Sequence, residues 1–263
     1  MARSMTADAA ARFQEAAAPL PAEARLWAWG ARVLYVGPAL NLTAHRNAVA
    51  VLAMGLDGAF EVADAPGDPA SAWRSRRTLL IAPDALHHLR SDTGRMAFLY
   101  VDPLSRDLAE LNAGAETGAV AAAIKALADG ARDWADVRRE LTLRLGVDDT
   151  KADPRIRSAL DALHADPSAR LALGDLARQA GLSGSRFRRL FRAATGVTVR
   201  RYRLWIAMGA ATRAFARGES LTTAALDAGF SSSAHFSAAF REMFGLEPSR
   251  LARGRLSLDV AEG

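Results

Sequence analysis

Four residues late in the chain have types and spacing suited to reading a nucleic acid. Ser185, Arg188, Arg189 and Arg192 share one side of a helix if Phe187, Leu190, Phe191 and Ala194 share the other. A guanidinium can donate two parallel hydrogen bonds to guanine O6 and N7 in the major groove, worth roughly 1–3 kcal/mol of discrimination. Ser185, Arg188 and Arg189 are therefore expected at base edges. Arg192, a turn further on, is expected at a phosphate. One arginine on a helix is as readily a solvated face. Several together, in a strongly basic segment, are harder to explain that way.

The surrounding charge is uneven. Residues 1–153 hold 17 Lys/Arg and 20 Asp/Glu, whereas residues 154–255 hold 17 Arg and 7 Asp/Glu, net +10. The last eight residues add Asp259 and Glu262. A basic segment joined to a mildly acidic one suggests a polyanion-binding module attached to something else. A genome that prefers arginine explains why only Lys125 and Lys151 are lysines, but not why the acids thin out at one end.

The basic segment contains a repeat. Ala177-Arg178-Gln179-Ala180-Gly181 is matched by Ala225-Leu226-Asp227-Ala228-Gly229. Beyond it Phe187, Leu190, Phe191 and Gly196 are matched by Phe236, Ala239, Phe240 and Gly245. Each copy reads as helix, tight turn, helix. Gly181 and Gly229 stop the first helix of each, and Ser183 and the Ser231–Ser233 run cap the second. Small residues at Ala177 and Ala225 let the two helices cross closely. This is helix-turn-helix geometry, whose second helix enters a major groove. A longer helix, about 199–217, joins the copies and is apolar over much of its surface. Asp153-Pro154 caps a helix ahead of the first copy. In the second copy the outward face is Ala234, Ser237, Ala238 and Arg241. Alanine cannot hydrogen-bond a base edge, so the first unit is expected to specify sequence and the second to position the protein. Ser233 and Ser237 remain as modest base contacts, Arg241 as a phosphate contact, and His235 as a structural or phosphate-facing residue.

Residues 154–252 resemble the DNA-binding domain of the AraC/XylS regulators. The resemblance rests on Leu176-Ala177, Gly181-Leu182-Ser183, Phe187, Leu190-Phe191, Gly196, Tyr202, Ala211, Gly229-Phe230-Ser231, His235-Phe236, Phe240, Gly245 and Pro248-Ser249. It points to the same early positions of the first recognition helix. It departs at Ala207 and Ala238, where the family often has arginine, and near Leu251, where it usually has an aromatic residue.

Residues 26–103 read as short strands broken by Gly, Pro and Asp: Arg32–Val36, Ala48–Met54, Thr78–Ile81 and Met96–Val101. The stretch resembles the cupin-like sensor domain often joined to such DNA-binding domains. His45 falls at the first histidine motif, and Pro83-Asp84-Ala85-Leu86-His87-His88 resembles the second. The first motif is only His45-Arg46-Asn47, with no partner histidine and no convincing glutamate. His45, His87 and His88 are expected as structural histidines or as polar groups of a small-molecule pocket, with a weakly held metal as the lesser alternative. No metal or other cofactor is assigned. Val120, Ile124 and Leu127, then Trp134, Val137, Leu141 and Leu145, form two helical stripes within 104–150. These would serve as a dimer interface or as a cover for the barrel.

The fold class expected is α+β: an N-terminal cupin-like antiparallel β-sandwich or barrel with flanking helices, then an all-α domain with two helix-turn-helix units. The domain boundaries expected are a mobile arm at 1–25, the sensor at 26–103, the helical segment at 104–150, a linker near 146–153 and the DNA-binding domain at 154–255. The function expected is a sequence-specific transcription regulator of double-stranded DNA, under a possible small-molecule effector, and not an enzyme. The alternative is a metal-dependent cupin-type enzyme with an accessory helical domain. The resemblance also implies contact with RNA polymerase and a possible homodimer. The absence of cysteine excludes disulfides and thiol chemistry within the chain, and no apolar run reaches membrane-spanning length. Both fit a cytoplasmic location.

Overall fold

The computed structural model describes residues 24–145, 153–253 and 257–261, apart from 31, 41, 65–71, 92–93, 103–110, 112–113, 115–116 and 169–171. Most of the expected arm (1–25) and linker lies outside the described residues. The sheet half comprises β1 (Arg25–Trp29), β2 (Arg32–Pro38), β3 (His45–Arg46), β4 (Ala50–Gly55), β5 (Phe60–Ala63), β6 (Arg74–Arg76), β7 (Thr78–Ile81), β8 (Leu86–Arg90) and β9 (Arg95–Val101). The helices are α1 (Thr117–Ala128), α2 (Trp134–Leu145), α3 (Pro154–Ala165), α4 (Leu173–Gln179), α5 (Gly184–Thr195), α6 (Val199–Ala216), α7 (Leu221–Asp227), α8 (Ser233–Phe244) and α9 (Pro248–Arg253). A last strand, β10 (Ser257–Ala261), follows.

Two sheets form, ordered β10-β1-β2-β9-β4-β7 and β3-β8-β5-β6. The four expected strands are present as β2, β4, β7 and β9, with β2 running on through Gly37 and Pro38. Alternation along these strands sorts side chains between two faces. Leu34, Leu52, Met54, Ala97 and Leu99 meet Val120, Ile124, Val137, Leu141 and Leu145 of α1 and α2 in one core. Both helical stripes are thus spent on the six-stranded sheet as a cover. Tyr35, Val51, Ala53, Met96 and Phe98 point the other way, toward Phe60, Val62 and Leu89 of the second sheet.

That inner core does not end with the sandwich. It continues through Phe230, Phe236, Phe240, Met243 and Leu246 of the second helix-turn-helix unit. The first unit has its own core of Ile156, Leu160, Leu163, Leu176, Phe187, Phe191, Tyr202 and Ile206. The acidic tail supplies the largest surprise. Leu258 and Val260 sit in β10, which pairs parallel with β1 in the register Arg25↔Ser257 to Trp29↔Ala261. The other strand pairs are antiparallel.

Candidate nucleic-acid interface

The local chemistry of α5 sets its reading face. Ser183 caps the helix, its hydroxyl accepting from the Arg186 N–H, and Gly196 ends it at φ 76°. Gly181 holds the preceding turn at φ 63°, which only glycine adopts freely. Phe187 and Phe191 are fully buried at 0% exposure. That places Ser185, Arg188, Arg189 and Arg192 at the surface, all exposed. Among the described residues nothing bonds to the Arg188 or Arg189 guanidinium groups. Arg192 differs: its Nη2 lies 3.4 Å from Asp84 Oδ2 of the sheet half.

The second unit copies the frame. Gly229 turns at φ 92°. Ser232 caps α8 by accepting from His235 N–H at 3.0 Å. Ser233, Ala234, His235, Ala238 and Arg241 are exposed, while Ser237 is half-buried. His235 is held in place, with Nδ1 3.1 Å from Ser231 Oγ and its ring against Phe230 at 5.4 Å. Arg241 pairs with Glu247 at 2.7 Å. Thus both arginines assigned to phosphate already face a carboxylate, and the two assigned to bases do not.

The three histidines part company. His45 and His87 stand opposite one another on β3 and β8, ring centroids 4.2 Å apart, both buried. Their Nδ1 atoms sit against the carbonyls of Thr43 and Ala85, at 2.8 and 3.0 Å. Burial, with His87 beside it, pushes His45 down to about 3, and burial lowers His87 as well. His88 instead packs on Trp73 at 5.0 Å. No group of three or more His, Asp or Glu fit to hold a metal occurs among the described residues. The pair has a structural neighbour: Gly245, the end of α8, where an added Cβ would fall 2.7 Å from His45 Nδ1. Thr43 N–H donates to the Gly245 carbonyl at 2.8 Å, and Asn47 Nδ2 donates to Met243 O at 2.7 Å. The histidines therefore sit where the sheet half grips the second helix-turn-helix unit.

Sequence reasoning missed an apolar cavity between the halves, ≈ 120 Å³ in volume. Tyr100, Trp205, Phe240 and Phe244 are its chief aromatic walls, with Tyr100 and Trp205 centroids 6.0 Å apart. The Arg213 guanidinium reaches it over Gly209, and burial lowers its pKa. None of the three histidines lines it. The breadth of the apolar surface on the joining helix was the available signal. That surface faces the sheet as well as the two units. Tyr202 adds a polar tie, donating from its hydroxyl to Asp102 just past β9.

Residues 176–254 match the family model described as a helix-turn-helix domain. Over 83% of its length the chain is similar in fold to the crystal structure of ToxT from Vibrio cholerae O395, of which it covers 96%, with TM-score 0.54 and 12% identity. The same protein bound to (E)-4-(8-methylnaphthalen-1-yl)but-3-enoic acid matches at TM-score 0.54 and 11% identity, over 84% of this chain and 97% of that one. A transcriptional regulator with an AraC-type DNA-binding domain from Chromobacterium violaceum is 28% identical over 37% of this chain and 89% of its own, at TM-score 0.35. None of the curated proteins compared matches the chain. Among the described residues no helix is long and apolar enough to cross a membrane.

Proposed function

Residues 176–254 match a helix-turn-helix family model, and on that premise we propose that the chain is a sequence-specific transcription regulator of the AraC type, acting on double-stranded DNA. The observation that carries this reading is the free, exposed pair Arg188 and Arg189 on a capped helix inside a duplicated unit. Ser185, Arg188 and Arg189 read base edges, while Ser233 and Ser237 make lesser contacts from α8. Arg192 and Arg241 take phosphates by exchanging their carboxylate partners. Selection of bound duplexes from a random pool by the full chain, followed by footprinting, tests this. A recovered motif with two half-sites about one helical turn apart is the expected result. Failure to enrich any sequence overturns it.

The effector site we assign is the interdomain cavity rather than the histidines. Its volume is close to that of an engineered apolar cavity of roughly 150 Å³ that binds benzene. A small aromatic molecule, with an acidic group within reach of Arg213, fits its walls. The aryl butenoic acid bound by ToxT is of comparable chemistry. Because the walls come from both halves, such a ligand would bias their packing. Ligand-observed NMR with benzoate should show binding that Gly209→Leu, which fills the cavity, removes. A homodimer, or contact with RNA polymerase, would use surface other than the α1 and α2 stripes already spent on the sheet.

A further inference from the structure

The tip between β7 and β8 is one place where the sheet half reaches the first helix-turn-helix unit. Asp84 there has φ 62°, the one non-glycine residue with a left-handed backbone among those described. The chain holds it so: Asp84 N–H donates to Asn47 O at 2.9 Å, and Asp84 O accepts from Arg46 Nη1 at 2.5 Å. Pro83 abuts Gly196, the end of α5, where a Cβ would lie 3.2 Å from the proline ring.

This fixed turn aims one carboxylate at two arginines. Oδ2 lies 3.4 Å from Arg192 Nη2, and Oδ1 lies 3.5 Å from Arg201 Nε in the first turn of α6. The Arg201 side chain is only 14% exposed, and its Nε has no hydrogen-bond acceptor, so Asp84 is what answers that end of the charge. Arg201 also donates to Arg46 O and pairs with Glu242 of α8 at 2.7 Å. A single acid from the sheet half therefore touches the first unit directly and the second through Arg201.

We infer that the Asp84 turn is an autoinhibitory latch, whose carboxylate occupies the guanidinium that Arg192 would otherwise present to a DNA phosphate. The inference rests on the DNA-binding reading above. A carboxylate and a phosphate ester are rivals for one guanidinium, and an anion beside the contact also repels an approaching backbone. The Arg192 pair is long, and the arginine side chain is 60% exposed. A contact that loose is weak, which suits a latch meant to be exchanged rather than a permanent brace.

The test uses the full chain with Asp84→Asn and Asp84→Gly, a selected duplex and a random-sequence duplex of equal length. Because phosphate contacts ignore sequence, both variants should bind both duplexes about threefold to tenfold more tightly at low salt. The slope of log affinity against log salt should steepen by about 0.9 per phosphate gained. Asp84→Gly also relaxes the left-handed backbone, so it keeps the test sound if the asparagine variant melts early. In an Arg192→Ala background most of the gain should vanish, leaving only the part due to lost repulsion. Unchanged affinity and slope in both variants, or a gain that survives intact without Arg192, overturns the latch while leaving DNA binding standing. A wild-type chain that binds neither duplex sinks the underlying reading as well.

Discussion

The first helix-turn-helix unit buries Phe187 and Phe191 among its own helices, whereas the second buries Phe236 and Phe240 against the sheet half. Their exposed faces diverge in parallel. The first presents unpaired arginines, and the second presents Ala234 and Ala238. The two copies of the repeat thus differ both in what they bury and in what they present. The unit with a private core meets the sheet half through polar contacts such as Asp84–Arg192 rather than through shared packing. The unit whose core is shared is placed to feel any change in the sheet or in the cavity beside it.

The sharpest way to break this comparison is to hollow each core in turn. Phe→Ala in a core costs about 3–5 kcal/mol. Phe240→Ala should strip hydrogen-exchange protection from both the second unit and the inner sheet strands, whereas Phe191→Ala should loosen only the first unit. Equal spreading from both variants would end the distinction. Next in size is Arg188→Ala. Losing a bidentate base contact should cost about 1–3 kcal/mol of specific affinity and relax preference at one base pair. Gel shifts on single-base variants of the selected site measure it, and retained preference would remove Arg188 from the reading face.

Between pH 7 and pH 5, acid should act on the shared seam, through His45 and His87. His45 titrates near 3 in the folded protein and near 6.5 when unfolded. The folded state thus binds fewer protons between those values, so stability is intact above pH 6.5 and falls as pH drops below it. By pH 5 one such histidine costs about 2 kcal/mol relative to pH 7. Denaturant melts followed on the sheet and the second unit should show this loss, and His45→Gln should reduce it, the remainder belonging to His87. The smallest expected change is a gain: Ala238→Arg should raise DNA affinity a few-fold by giving α8 a donor. No gain would mean that α8 does not meet a groove.

The helical half was legible because its signals are local. Gly181 and Gly229 adopt the positive φ that their place after Ala180 and Ala228 demands, and Ser183 and the serine run cap as their spacing predicts. The sheet half was read only where four strands had hydrophobic runs. β3 and β6 have two and three residues, too few to establish a period. β8 drew notice for its histidines rather than for its alternation. β10 pairs with a strand more than two hundred residues earlier, and nothing local announces such a partner, although Leu258 and Val260 already alternate. The cavity and the Asp84 contact were beyond reach for the same reason. Each is made by elements far apart in the chain, and no window of sequence contains both sides.

The parallel pairing of β10 with β1 means that the DNA-binding half does not dangle from the sheet half by a single hinge. The polypeptide departs after β9, builds the described helices, and is stitched back into the same sheet three places from β9, at the edge beyond β1. The reading head is therefore suspended like a bridge deck between two abutments. Removing β10 would leave the shared core, the grip on the end of α8 and the Asp84 turn as the ties between the halves.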